Sequence, residues 1–187
     1  KQFQRWFDEA LAANLKLPEA MTLATATKDG KPSARMVLLK HVDEQGFVFY
    51  TNYNSRKAKE LAGNPVGALM FYWAELDRQV RIEGTVSKVS AEESGAYFQT
   101  RPRDTQLGAL ASSQSEVVSN RAELDRRFAE LEQQYKGHPI PQPAHWGGYR
   151  LKPNSIEFWQ HGGARMHDRI LYDLQEDRSW SMKRLAP

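Results

Sequence analysis

No cysteine occurs among the 187 residues, so disulfides, thiolate metal sites and cysteine nucleophiles are excluded at the outset. No apolar run approaches the roughly 18 to 20 residues needed to cross a bilayer, and no signal-peptide pattern opens the chain. A soluble, cytoplasmic protein without membrane contact is therefore expected. Charge of one sign is scarce as well: 26 Lys and Arg stand against 23 Asp and Glu, a net charge of +3. The two signs are interleaved, whereas proteins that track nucleic-acid backbones mass their cations into long patches or a basic helix. Also missing are G-x-G-x-x-G, G-x-x-x-x-G-K-[ST], H-E-x-x-H and G-x-S-x-G, which moves Rossmann, P-loop, zincin and hydrolase chemistry down the list. The five histidines are scattered, and no metal site is expected.

What is present is an ordinary globular composition, 40% hydrophobic and 26% charged, long enough for a real core and read as a single domain over 1–187. Phe3, Trp6, Phe7, Ala10, Leu11 and Leu15 recur at helical spacing, so an amphipathic helix opens the chain. That pattern is already under way at Lys1, and a preceding segment is expected. "MTLATAT", "SARMVLLKHV" and "FVFYTN" read as strands joined by the turns "KDGKP" and "DEQG". A short helix follows at "SRKAKELAG", with Gly63 as its C-cap and Pro65 beyond. Two longer strands, "VGALMFYWAE" and "RQVRIEGTVSKVS", precede helices expected over 91–100 and 121–135. "KGHPIPQPAHW" is a Pro-rich connection. "GGYRLKP", "SIEFWQ" with "RMHDRILYDL", and "SWSMKRLAP" are expected as the closing strands, from about 146 to 187. Strands linked by short turns with inserted helices predict a mainly β protein with helices, an antiparallel barrel.

Four cationic clusters carry chemistry. Read as a strand, "ARMHDR" sets Arg165, His167 and Arg169 on one face, with same-face neighbours roughly 7 Å apart. Two full charges at that spacing repel by about 2 kcal/mol at an effective dielectric near 20, a cost that an anion lying across them would remove; a solvated outer face is the alternative. In "TNYNSRKAKEL", Ser55 is placed to cap the following helix and to leave free N–H groups beside Arg56 and Lys57, a cradle for phosphate. In "YFQTRPRDT", Tyr97 and Arg101 share a helix face at i, i+4, while Pro102 is expected to end the helix and leave Arg103 to Thr105 in a loop. In "SARMVLLKH", Arg35, Val37 and Leu39 alternate with Met36, Leu38 and Lys40, and Lys40 is placed to reach a ligand at a barrel rim. Each cluster alone also fits a capped or solvated surface.

Together "RMVLLK", "FYTN" with "SRK", "RQVRIEG", "YFQTRPRDTQLGA", "QS", "WGGYRL", "EFWQ", "R-x-H-D-R" and "RLAP" resemble the pyridoxine/pyridoxamine 5′-phosphate oxidase family, in family order from about residue 20 to the end. The resemblance implies a split β-barrel homodimer with FMN at the subunit interface. It further implies oxidation of pyridoxine and pyridoxamine phosphates to pyridoxal phosphate, with dioxygen as acceptor and hydrogen peroxide released. By position it assigns FMN to Arg35, Met36, Val37, Leu38, Leu39, Lys40, Tyr50, Thr51, Arg56, Lys57, Gln79, Gln114, Ser115, Trp159 and Arg169. Substrate falls to Lys40, Tyr97, Arg101, Thr105, Arg165 and His167, with Arg165 and His167 orienting the reacting ring. Some of these contacts are expected to cross between subunits. Thr105 stands where the family usually has Ser, and Met166 where it usually has Leu. The rival readings are a split-barrel flavin reductase or carrier without the second phosphate site, and a small nucleic-acid-binding barrel.

Overall fold

The computed structural model describes residues 1–187. Helix α1 (Gln2–Ala12) buries Phe3, Trp6 and Ala10, the three- and four-residue spacing that puts side chains on one stripe. That stripe meets a sheet of nine strands: β1 (Ala20–Ala26), β2 (Pro32–Leu38), β3 (His41–Asp43), β4 (Gly46–Asn52), β5 (Val66–Trp73), β6 (Arg78–Lys88), β7 (Trp146–Gln160), β8 (Asp168–Leu174) and β9 (Trp180–Leu185). Helices α2 (Arg56–Gly63), α3 (Ala91–Thr100), α4 (Arg103–Ala111) and α5 (Arg121–Gln134) are inserted between strands. None of the helices is long and apolar enough to cross a membrane.

Every strand pairing is antiparallel, in the order β2-β1-β5-β6-β7-β4-β3. Strand β7 organises the sheet. One edge pairs with β6, while the other is shared between β4 at Trp146–Leu151 and β8 at Ser155–Gln160. Beyond the end of β2, the Lys40 N–H donates to Val48 O at 2.9 Å, so the sheet curls back towards β4 as a half-barrel. Inside the curl, Phe3, Phe47, Phe71 and Trp73 pack edge to face or tilted, contacts that add to simple burial. A second, smaller core of Phe98, Leu107, Ile140 and Trp146 seats α3 and α4 against β7 and ties down the Pro-rich connection through Ile140. Gly46, at φ 136°, lies where a Cβ would fall 2.1 Å from Leu151 O, so the β3–β4 turn requires glycine.

The mainly β, antiparallel barrel expected from sequence is therefore present, with helix α3 spanning the residues predicted for it. Several local expectations are corrected. "GGYRLKP" and "SIEFWQ" are one 15-residue strand, β7. Pro153 is accommodated because the β6–β7 register shifts beside it, between Glu83 and Gly84, where a missing N–H breaks no regular ladder. Arg103–Thr105 are helical, since Pro102 ends α3 and stands as N-cap of α4. Helix α2 runs through Gly63 and stops at Asn64, whose extended backbone donates to Glu60 O at 2.8 Å. The cationic row near the C-terminus is not a strand. Gly163–Arg165 form a 3-10 turn with Ala164 and Arg165 in the left-handed region at φ 54° and 63°, and β8 begins only at Asp168.

Candidate functional site

Strand β2 is the edge of the sheet, so its outer backbone groups are free as well as its side chains. Along that edge opens a cleft of about 680 Å³, within the range of small-molecule sites. Arg35, Met36, Val37, Leu38 and Lys40 form one side, and Tyr50, Thr51 and Lys57 the floor. Tyr97, Arg101 and Thr105 from the α3–α4 corner, with Gln114 and Trp146, close it. Chain segments far apart in sequence thus place most of the expected ligand residues around one space.

Besides Lys40, exposed at the rim, two cations in this cleft lack an acidic partner. Lys57 is 8% exposed and its Nζ donates only to neutral oxygens: Gln114 Oε1 at 2.7 Å, Thr51 Oγ1 at 3.0 Å and Ser55 Oγ at 3.3 Å. Burial, reinforced by the nearby Arg35 guanidinium, pulls its pKa down to about 8. Ser55 occupies the N-cap position of α2 but does not cap it; its hydroxyl donates to Asn52 O at 2.7 Å. Arg101 lies over the Trp146 ring at 4.7 Å, and its buried Nη1 has no hydrogen-bond partner. Burial lowers its pKa too. A buried donor left unmade costs about 1–3 kcal/mol, more when charged, which is the case of Arg101 Nη1; Lys57 has its donors satisfied but carries a buried charge with no counter-ion, also costly, so both groups fit an anionic ligand. The corner that carries Arg101 is pinned by Gln106, whose Nε2 donates to Phe98 O at 3.0 Å and Arg101 O at 3.1 Å. Tyr50, Tyr97 and Trp146 lie near-parallel, with interplanar angles of 9° to 19°, and offer flat apolar surface to a ring. Thr105 lines the cleft, but its hydroxyl donates to Pro102 O at 2.7 Å.

The remaining wall is a satisfied ion-pair network. Glu60 Oε2 accepts from Thr25 Oγ1 at 2.5 Å and Ser33 Oγ at 2.6 Å and lies 3.3 Å from Arg35 Nη2, while Oε1 accepts from Arg56 Nε at 2.8 Å. Burial by itself would raise the Glu60 pKa; the Ser33, Thr25 and Arg56 donors, with the Arg35 charge, outweigh it and bring the pKa to about 2. The ionised form is therefore favoured in the fold. Its stabilisation is complete above the usual carboxylate pKa and lost as pH falls from about 4.5 to about 2. Over that window Glu60→Gln should flatten the acid-unfolding profile relative to the parent, by about 3 kcal/mol at full effect, as measured by urea melts from pH 5 to pH 2.

Other expected residues lie outside the cleft. The Leu39 side chain is in the core rather than facing ligand space. Arg56 and Ser115 line a neighbouring recess behind Glu60. Gln79, Trp159 and Arg169 sit in register on β6, β7 and β8 and share one face of the sheet, with the His167 ring 4.7 Å from that of Trp159. His167 Nδ1 accepts from the Gly162 N–H at 3.2 Å, a close turn in which a Cβ on Gly162 would fall 1.9 Å from Met166 O. Arg165 is exposed on the turn before it. Within one subunit, then, and leaving Leu39 in the core, the expected residues make three groups: the cleft, the recess with Arg56 and Ser115, and the Gln79–Trp159–Arg169 patch with Arg165 and His167. Sequence reasoning missed Glu60, the partner of Arg35 and Arg56, although the Arg56–Glu60 spacing of i, i+4 was visible; it also missed Trp146 as a wall of the cleft.

Comparison with known proteins agrees with the fold. Residues 7–135 match the family model described as pyridoxamine 5′-phosphate oxidase, and residues 146–187 that described as pyridoxine 5′-phosphate oxidase C-terminal dimerisation region. A pyridoxine/pyridoxamine 5′-phosphate oxidase from a Nostoc species is 59% identical over 186 residues, covering 100% of this chain and 87% of that one. The enzyme of that name from Burkholderia lata is 57% identical over 188 residues, with the same coverage. Among solved structures, PhzG from Burkholderia lata, in complex with tetrahydrophenazine-1-carboxylic acid, superposes with a TM-score of 0.94 at 32% identity, covering 100% of this chain and 91% of that one. A pyridoxamine 5′-phosphate oxidase-related, FMN binding protein from Nostoc punctiforme shares the fold at a TM-score of 0.80 and 17% identity, covering 100% and 98%.

Proposed function

Since the chain belongs to the pyridoxamine 5′-phosphate oxidase family, we propose that it oxidises pyridoxine and pyridoxamine 5′-phosphates to pyridoxal 5′-phosphate using FMN and dioxygen, and that it does so as a homodimer. The carrying observation is the Arg101 guanidinium with its buried, unpartnered Nη1, beside Tyr97 and Thr105 in a cleft that already contains a second uncompensated cation, Lys57. Two such cations suit two phosphorylated ligands, a flavin and a vitamer. A plain flavin carrier has no need of the second.

In this reading Lys57, Thr51, Gln114 and Arg35 hold the FMN phosphate, and the free edge of β2 runs along the flavin. Arg101 and Tyr97 take the substrate phosphate, with Lys40 at the rim. Thr105 joins them by turning its hydroxyl from Pro102 O to the ligand. The chemistry that FMN supplies when bound is acceptance of a hydride equivalent from the substrate's C4′ carbon, with dioxygen as the final acceptor and hydrogen peroxide as product. The protein's share is orientation: the phosphate clamp fixes one end of the pyridine, and His167 and Arg165 meet its other substituents. Those residues lie outside the cleft of their own subunit, so they are assigned to the site of a partner copy, as are Gln79, Trp159 and Arg169. The match of residues 146–187 to a dimerisation region supports that assignment.

A second reading, oxidation of a reduced phenazine carboxylic acid, is favoured by the PhzG superposition and by the flat Tyr50–Tyr97–Trp146 surface. It is the weaker one, because identity to the Burkholderia lata oxidase is 57% against 32% to PhzG of that organism. Anaerobic mixing of the FMN-loaded protein with pyridoxamine phosphate should bleach the flavin, and air should restore it with release of hydrogen peroxide. Bleaching by tetrahydrophenazine-1-carboxylic acid but not by pyridoxamine phosphate would transfer the assignment to the second reading. Bleaching by neither would leave the carrier.

A further inference from the structure

Glu157 on β7 is 3% exposed, yet it sits on the wrong side of the strand to be in the core. Its neighbour Phe158 points inward and packs edge to face on Trp6, so by strand alternation Glu157 faces outward with Trp159. It is covered by two guanidiniums from the flanking strands. Arg169 of β8 donates from Nε to Glu157 Oε1 at 2.8 Å, and Arg81 of β6, its register partner, brings Nη2 to 3.3 Å from Oε2. The Arg81 approach is an ion pair by distance without a well-directed hydrogen bond, and Oε2 has no hydrogen-bond donor. The same Arg169 donates from Nη1 to Ala186 O at 3.0 Å. Two of its five N–H groups are thus spent on holding it in place. Its Nη2 end is left with no partner.

The geometry points to Glu157 as a positioning residue: its buried carboxylate, with the Ala186 carbonyl, fixes the Arg169 guanidinium so that the free Nη2 edge is presented to the flavin. A guanidinium on an open sheet face otherwise samples many rotamers, and the ordering would be lost from the binding energy. Fixing it in advance removes that loss. Arg81, which also approaches Glu83 at 3.5 Å, screens the carboxylate but does not orient Arg169. This inference rests on the reading above that Arg169 meets FMN.

The test is FMN affinity of the full chain, measured by flavin fluorescence on the deflavinated protein, together with its ligand-free melting temperature. Glu157→Gln should weaken FMN binding about tenfold, the scale of one hydrogen bond to a charged group, whereas Arg81→Met should leave it within about twofold. In a double-mutant cycle, Glu157→Gln should add nothing to Arg169→Gln, because both remove the same contact; a merely structural carboxylate would give additive losses and overturn the proposal. So would Glu157→Gln binding FMN as tightly as the parent while Arg169→Gln does not. If Arg169→Gln itself leaves FMN affinity unchanged, the cofactor reading of Arg169 fails instead. Should Glu157→Gln fail to fold, Glu157→Asp, which withdraws the carboxylate by one methylene, is held to the same criteria.

Discussion

Replacing Arg101 by Met should lower kcat/KM for pyridoxamine phosphate by about 100-fold, roughly 3 kcal/mol, with most of the loss in KM and with FMN still bound. The expectation follows from what surrounds the guanidinium. It is sandwiched against Trp146 and Phe98, has no acidic partner, and carries a buried nitrogen with nothing to donate to. Such a group costs stability in the free protein and recovers it only when an anion arrives. Met retains most of the packing against Trp146 without the charge, so the ligand-free variant should melt at or above the parent's temperature. Activity and stability moving in opposite directions is the signature of a group kept for binding. A variant that lost stability and substrate affinity together would make Arg101 a structural prop. One that lost FMN would place the flavin phosphate, not the substrate's, at the α3–α4 corner. Steady-state kinetics, flavin absorbance of the purified variant and a thermal melt separate the three.

How much of this was legible beforehand depends on whether the signal was local. Helix α3 and strands β1, β4, β5 and β6 follow from apolar spacing and turn residues, and the ordered motifs identify the family. The failures came where two elements meet. Pro102 ends a helix as expected, but it also begins the next one, because a proline needs no N–H donor at a helix start. The strands expected separately at "GGYRLKP" and "SIEFWQ" run together, because a shift in the facing strand's register lets one strand pass through Pro153. The row Arg165, His167, Arg169 depends on period two across "GGARMH", where a left-handed turn erases that period. Ion pairs between distant segments were invisible for the same reason. Arg35 with Glu60 and Arg169 with Glu157 are separated by 25 and 12 residues, and only folding decides which cations acquire an acidic partner and which have none. That division matters to function. The buried Lys57 and the half-buried Arg101 are left without an acidic partner, and composition alone could not single them out from the other 24 Lys and Arg of the 26 in the chain.

Lys57→Met should weaken FMN binding by about 100-fold or more while raising the melting temperature of the ligand-free protein. The buried ammonium is held only by Thr51, Ser55 and Gln114 oxygens, and its pKa near 8, against a usual 10.5, means that the fold disfavours the charged form by about 3 kcal/mol. The sign of the pH dependence follows. Between about pH 8 and 10.5 the folded protein binds fewer protons at this site than the unfolded chain does, so ligand-free stability should rise across that window. In the function proposed above, binding of the FMN phosphate would restore the proton, because a dianion beside the ammonium favours its charged form. FMN affinity should therefore be level below about pH 8 and fall above it, by up to about tenfold per pH unit, with a proton taken up on binding. Isothermal titration in two buffers of different ionisation enthalpy reads that uptake directly. In Lys57→Met both the fall and the uptake should vanish; if they persist in the variant, the titrating group lies elsewhere and the flavin phosphate is not seated on Lys57.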